Sequence, residues 1–88
     1  MSYYVYLIGG FKKFKLKTYV GYTKNLKKRL FKHNSGKGAK STRGYKWKFF
    51  YHKEYLSKQE AMSQEYFLNK NKLKRKKITT KFLSTNQL

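Results

Sequence analysis

The run from Thr18 to Asn34, TYVGYTKNLKKRLFKHN, constrains the fold more than any other stretch of this chain. It reads as the end of a β-strand, a glycine turn and then a helix. Tyr19, Val20 and Gly21 close the strand, Thr23 stands where an N-cap belongs, and Leu26 and Leu30 are spaced to bury one helix face. The helix is predicted over about 24–34, with Asn34-Ser35-Gly36 as its stop. Arg29 and His33 lie four residues apart on it, one turn from each other. A phenol, a guanidinium and an imidazole therefore gather at one strand-to-helix corner.

Other elements follow from alternation and punctuation. Residues 3–8 alternate as a strand used on both faces, with Tyr4, Tyr6 and Ile8 on one side and Tyr3, Val5 and Leu7 on the other. Gly9-Gly10 is expected to break it, and 11–15 to be a loose connection. A second strand at 16–21 should pair antiparallel with the first, leaving Tyr6 and Tyr19 on the face opposite Val5, Leu7 and Val20. WKFFYHKEY, 47–55, forms a third strand with Trp47, Phe49 and Tyr51 on one face. Ser57 to Glu60 is a capping box opening a helix over about 58–70. A short third helix is expected from Lys70 to Lys81, ending near Leu83. Neither a repeat nor a linker is visible, so 1–88 reads as one domain with a basic segment at 70–83 and a frayed tail at 84–88.

Charge sets the class of partner. Lys and Arg number 23 against three acids, a formal +20, far more than solubility requires. A small domain with that charge repels itself and is calmed by a polyanion, which points to nucleic acid. The other reading of the charge is a solvated lysine-rich surface. No long basic amphipathic helix suggests a membrane surface, and the opening YYVYLIGG is too short to span one. The absence of cysteine excludes disulfides and thiolate metal sites. The expected location is intracellular, in the cytoplasm or nucleoid, or in a nucleus or organelle.

Glu65 is the most telling single residue. Its helical neighbours at three and four residues are Ala61, Met62, Leu68 and Asn69, so no local cation pairs with it. Near an apolar stripe a bare carboxylate is costly. It needs either a tertiary lysine or a hard divalent ion shared with waters and phosphate. Arg29 is one of three arginines, and its planar fork suits a phosphate bidentately, unless it is simply an exposed basic residue. His33 is open to three roles: base, phosphate donor or helix C-terminal cation. Tyr6 and Tyr19 taken alone are core or stacking aromatics. GKGAKST imitates a P-loop, but Ala39 precedes Lys40 and a helix precedes the loop, so nucleotide binding is set aside. Lys37, Lys40 and Arg43 of that loop suit a nucleic-acid backbone instead, as do Lys24 and Lys28 on the first helix and Lys70, Lys72 and Arg75 near the C-terminus.

Tyr4-Val5-Tyr6, twelve further residues, then Tyr19-Val20-Gly21 resembles the paired motif that names the GIY-YIG nucleases. YVGYTKNLKKRL is similar to the same stretch in the N-terminal domain of UvrC. HNSGKGAKSTRG, an aromatic strand and EAMSQEYFLNKNKLKRKK resemble the small single-domain members and the Slx nuclease domain. The likeness covers residues 3–77. It implies an α+β fold, a small three-stranded antiparallel sheet flanked by helices in the order β-β-α-β-α with an optional third helix.

The resemblance also implies hydrolysis of DNA phosphodiesters with Mg²⁺ or Mn²⁺. Matched by motif, Tyr6 and Tyr19 are the active-site tyrosines, Arg29 the arginine on the scissile phosphate and Glu65 the metal-binding glutamate. His33 matches a histidine of several members. The expected mechanism holds the metal on Glu65 as Lewis acid. Tyr19, helped by His33 or a lysine, orients or deprotonates water, Arg29 meets the developing charge and Tyr6 positions both Tyr19 and phosphate. Tyr4 departs from the motif's first glycine, and a C-terminal asparagine of some members has no clear match, although Asn69 and Asn71 are near. The expected substrate is single-stranded, branched or duplex DNA in repair or recombination. The protein is expected to be a monomer or weak dimer, with a protein partner for targeting. The rival class is a non-catalytic basic nucleic-acid binder on the same scaffold.

Overall fold

The computed structural model describes residues 2–86 and gives the order β1 (Tyr3–Lys12), β2 (Lys15–Thr23), α1 (Leu26–Asn34), β3 (Lys46–Tyr55), α2 (Lys58–Lys70) and α3 (Lys72–Asn86). A single 3-10 turn, Lys40–Thr42, interrupts the loop before β3. The α+β fold is the one expected: a three-stranded antiparallel sheet in the order β2-β1-β3, with three helices.

Strand alternation gives this sheet two cores. Val5, Leu7 and Val20 face α2 and α3, where Phe50, Ala61 and Leu68 complete an apolar cluster joined by Ile78, Phe82 and Leu83. Tyr6, Ile8 and Trp47 face α1, with Tyr19, Leu26, Leu30 and Phe49 packed against them. Tyr6 and Tyr19 therefore share the face predicted for them.

Gly9-Gly10 does not break β1. Both glycines stay paired in the middle strand, because a Cβ at Gly9 would run into the Phe50 ring and one at Gly10 would lie 2.7 Å from the Trp47 ring. The strand instead continues to Lys12. A two-residue turn at Lys13-Phe14 replaces the loose connection expected over 11–15.

Tyr51 is the second correction. Leu7 pairs with Tyr51 but Ile8 pairs with Phe49, so Phe50 is an extra residue in β3. The bulge sends both Phe50 and Tyr51 to the α2/α3 side, whereas Trp47 and Phe49 keep the α1 side.

The start of α1 also differs. Asn25, not Thr23, is the N-cap, its side chain accepting the Lys28 N–H at 3.0 Å. Thr23 stays in β2, where its hydroxyl oxygen accepts the Asn25 N–H at 3.1 Å. Ser57 caps α2 as expected, accepting the Glu60 N–H. Lys70 ends α2 rather than opening α3. Ser84–Asn86, expected to fray, continue α3, and the last two residues of that tail lie outside the described residues. At the other end of α1, Asn34 clamps β3: Oδ1 accepts the Trp47 N–H at 2.6 Å and Nδ2 donates to the Trp47 carbonyl at 3.1 Å. This pair of hydrogen bonds fixes the axis of α1, and with it Arg29 and His33, to the sheet.

Candidate active site

A cleft of about 420 Å³ opens where β1, β2, α1 and α2 meet, and Tyr6, Tyr19, Arg29 and Glu65 all line it. Each arrives by a simple rule. Tyr6 and Tyr19 project from adjacent strands onto the α1 side. Arg29 stands one turn into α1. Glu65 belongs to the helix on the opposite face of the sheet. Ala61 and Leu68 bury the inner stripe of α2, and Glu65, about 40° round the helix from Ala61, falls on its flank. That flank reaches the cleft past β2, the edge strand.

Gly21 makes the corner possible. The Tyr6 hydroxyl lies 2.5 Å from where a Cβ at Gly21 would stand, so any other residue would push the phenol out of place.

Tyr6 is 1% exposed, and its hydroxyl meets His33 Nε2 at 3.0 Å. His33 is equally buried, and its Nδ1 meets the Thr42 hydroxyl at 3.0 Å. Thr42 donates its own hydroxyl hydrogen to the Ala39 carbonyl at 2.8 Å. Its oxygen is left to accept, which assigns the His33 proton to Nδ1 and leaves Nε2 to accept from Tyr6. The chain of donors thus runs one way, from Tyr6 through His33 and Thr42 to Ala39.

The electrostatic surroundings of the two groups agree with that direction. Burial, with the Arg29 charge second, lowers the His33 pKa and keeps the ring neutral. Burial raises the Tyr6 phenol well above the ordinary tyrosine range. The Arg29 guanidinium beside it pulls back, while Tyr19 and Glu65 add to the rise. Tyr6 therefore remains a protonated donor.

Burial also raises the Glu65 pKa. A partly desolvated carboxylate at an open cleft is a place for a cation. Among the described residues no group of three or more His, Asp or Glu side chains could hold a metal. The donor set fits a hard ion held by one carboxylate, waters and a substrate phosphate, and not a closed protein cage.

The remaining predicted residues divide. Lys24 lines the cleft, its Nζ 5.5 Å over the Tyr3 ring. Lys28 lines an adjoining groove with Lys24, Arg29 and Lys32. Lys37, Lys40, Arg43, Lys70, Lys72 and Arg75 line neither. Lys37, Lys40 and Arg43 sit exposed on the loop before β3, and Lys70 and Lys72 flank the α2–α3 junction. Arg75 is half-buried on α3, its Nε without a hydrogen-bond partner. His33 does not line the cleft either; it holds Tyr6 from behind.

Sequence reasoning missed Lys58 and Thr42. Lys58 lines the cleft with Glu65 and lies seven residues before it, two helical turns on the same face. That spacing was available to be read. Thr42 offered no such signal.

Two phenols, a guanidinium and a carboxylate thus line one open cleft on a small α+β scaffold. The chain belongs to the GIY-YIG catalytic domain family, whose description matches residues 2–79. The family is a nuclease family whose members act on nucleic acid and generally depend on a divalent metal.

A UPF0213 protein of Bacillus pumilus is 55% identical over 49 residues, covering 54% of this chain and 50% of its own length. A UPF0213 protein of Streptococcus pneumoniae is 47% identical over 70 residues, 78% of this chain and 68% of its own. A UPF0213 protein of Pediococcus acidilactici is 44% identical over 71 residues, 77% of this chain and 69% of its own. The match thus spans half of the first relative and about two thirds of the others. No solved structure matches the chain. Among the described residues no helix is long and apolar enough to cross a membrane.

Proposed function

We propose that this chain is a divalent-metal-dependent DNA endonuclease that hydrolyses phosphodiester bonds in repair or recombination, acting on opened or branched DNA. One observation carries the reading: Tyr6, Tyr19, Arg29 and Glu65, drawn from four elements and both sides of the sheet, line a single cleft.

Glu65 would hold Mg²⁺ or Mn²⁺, and the ion would supply Lewis-acid stabilisation of the phosphate and leaving oxygens. Arg29 grips the scissile phosphate and meets the negative charge that grows on its oxygens. Lys24, Lys28 and Lys58 draw the backbone into the cleft. Tyr19, half-buried in the wall, holds and orients the attacking water, whose proton leaves to solvent. Tyr6 cannot share that task, because its own proton is committed to His33. It sets the position of the phosphate and of Tyr19, and His33 and Thr42 set the position of Tyr6.

The test is cleavage of labelled single-stranded, duplex and branched DNA with Mg²⁺, Mn²⁺ or EDTA. Wild type should cut only with a metal, whereas Glu65→Ala and Arg29→Ala should bind DNA but leave it intact. A wild-type protein that binds DNA and cuts none of these substrates with any divalent ion would replace the nuclease with a non-catalytic binder.

A further inference from the structure

The β1–β2 hairpin runs one residue pair past the end of β3. β3 leaves β1 at the Phe11–Lys46 pair, whereas β1 and β2 stay paired to Lys12–Lys15. All seven residues from Phe11 to Lys17 are exposed, and four of them are lysines. Phe14 at the tip is 105% exposed, so its ring buries nothing. Leaving a phenylalanine wholly in water forgoes about 1.5–3 kcal/mol of burial. The turn is also not built for ease: Lys13 has φ +55, a region where glycine or asparagine is the favoured residue.

The base of this arm is anchored and its tip is not. Lys17 Nζ donates to the Ser41 carbonyl at 2.8 Å, and the Lys12 and Lys17 ammonium groups stand 5.9 and 5.5 Å over the Tyr45 ring. The loop carrying Lys37, Lys40 and Arg43 therefore docks beside the hairpin. Lys13, Phe14 and Lys15 are left projecting past this basic shelf. An aromatic ring between cations, with no acid nearby in sequence, matches the chemistry of an unpaired base on a phosphate backbone. A stacking platform set along an electrostatic groove binds single strands in this way. An apolar pocket of a protein partner fits the ring but gains nothing from the lysines.

We propose that the hairpin tip is a second nucleic-acid contact, where Phe14 stacks on an unpaired base while Lys13 and Lys15 flank the backbone. The contact rests on the nuclease reading and names its substrate: DNA with an opened or single-stranded segment. Six residues separate Tyr6 from Lys12 along β1, about 20 Å at the rise of a strand. The tip therefore lies a few nucleotides along an extended strand from a phosphate gripped in the cleft.

Binding measured in EDTA separates this contact from the chemistry. Fluorescence anisotropy at fixed salt would compare a labelled 20-nucleotide strand with its blunt duplex. Phe14→Ala should weaken single-strand binding about tenfold and leave the duplex within twofold. Phe14→Trp should restore it and Phe14→Leu should not, since leucine keeps apolar area but lacks a flat face. Because Phe14 supports no packing, none of these variants should change the melting temperature. Unchanged single-strand affinity in Phe14→Ala, an equal loss on both DNAs, or rescue by leucine would each overturn the stacking contact. Cutting by wild type in Mg²⁺ then decides the nuclease separately. A tip that stacks on a protein that never cuts would sink the nuclease alone, and a cutter indifferent to Phe14 would sink the tip alone.

Discussion

The two faces of this sheet are built from the same strands and solve different problems. On the α2/α3 side the buried groups are Val5, Leu7, Val20, Phe50, Ala61 and Leu68, and the Phe50 and Phe82 rings stack at 4.3 Å. On the α1 side the buried set includes Tyr6, His33, Thr42 and Trp47, and nearly every polar atom has a named partner: Tyr6 on His33, His33 on Thr42, Thr42 on Ala39, Trp47 Nε1 on the Thr42 carbonyl at 2.7 Å. Apolar burial is non-directional and tolerates any filling of the right volume. Hydrogen bonds fix orientation, and a buried donor without an acceptor is costly. The first face holds the domain together; the second aims the cleft. The site draws on both, since Glu65 comes from the apolar side and meets the phenols round the edge of β2.

If that division is right, the largest separable effect is on chemistry without stability. Arg29→Ala should lower the cleavage rate by about 10²–10³. Its melting temperature should stay near wild type, because Arg29 is only half-buried, in the cleft wall. Glu65→Gln should abolish metal-dependent cutting and leave the fold intact. Burial raises the Glu65 pKa, so the folded state disfavours the ionised form. Its contribution to stability is greatest below the ordinary carboxylate range and is lost as pH rises through the raised value. The glutamine variant should therefore match wild type in acid and equal or exceed it at pH 8 in urea unfolding. A Glu65→Gln protein less stable than wild type at pH 8 would mean that the carboxylate is structural.

The opposite dissociation belongs to the other face. Leu7→Ala, fully buried among α2 and α3, should cost about 2–5 kcal/mol and lower the melting temperature several degrees per kcal/mol. Below the transition its affinity for DNA should remain within twofold of wild type. Loss of binding at a temperature where the variant is still folded would show that the two faces are not separable.

How far the sequence reveals this arrangement depends on whether a feature is local. Strand alternation places Tyr6 and Tyr19 together, and the capping signal of Ser57 starts α2 at the right residue, so the phase of Glu65 follows. The features that escape it are set by distant residues. Gly9-Gly10 reads locally as a break, but rings from β3 stand over both glycines and keep them in the strand. WKFFYHKEY gives no hint that Phe50 is supernumerary, because every residue around it is equally fit for a strand. Thr23 and Asn25 are both competent caps, and only the length of β2 decides between them. For the candidate site the residue types were legible, whereas the direction of the bonds behind Tyr6 was not. That direction depends on Thr42 donating to a backbone carbonyl in a loop without periodicity.

The directional chain is also where the smaller effects lie. Thr42→Val keeps the shape of a fully buried residue and removes the acceptor for His33 Nδ1–H, which should cost about 1–3 kcal/mol. Thr42→Ser should recover most of it. His33 sharpens the point through pH. Burial and Arg29 lower its pKa below the ordinary 6.5, so the folded state excludes a proton that the unfolded chain accepts. The stability this contributes is complete above 6.5 and falls away as pH drops below it toward the lowered value. Urea midpoints for wild type should decline between pH 7 and pH 5, and His33→Gln should flatten that decline by up to one proton while starting from a lower value. In Thr42→Val the proton on Nδ1 has no acceptor, the ring can turn, and the Tyr6 phenol loses its fixed partner. Cleavage should then fall several-fold at unchanged DNA affinity, and serine should restore it. A valine variant that is destabilised but cuts at the wild-type rate would show that the polar face merely packs, as the apolar one does.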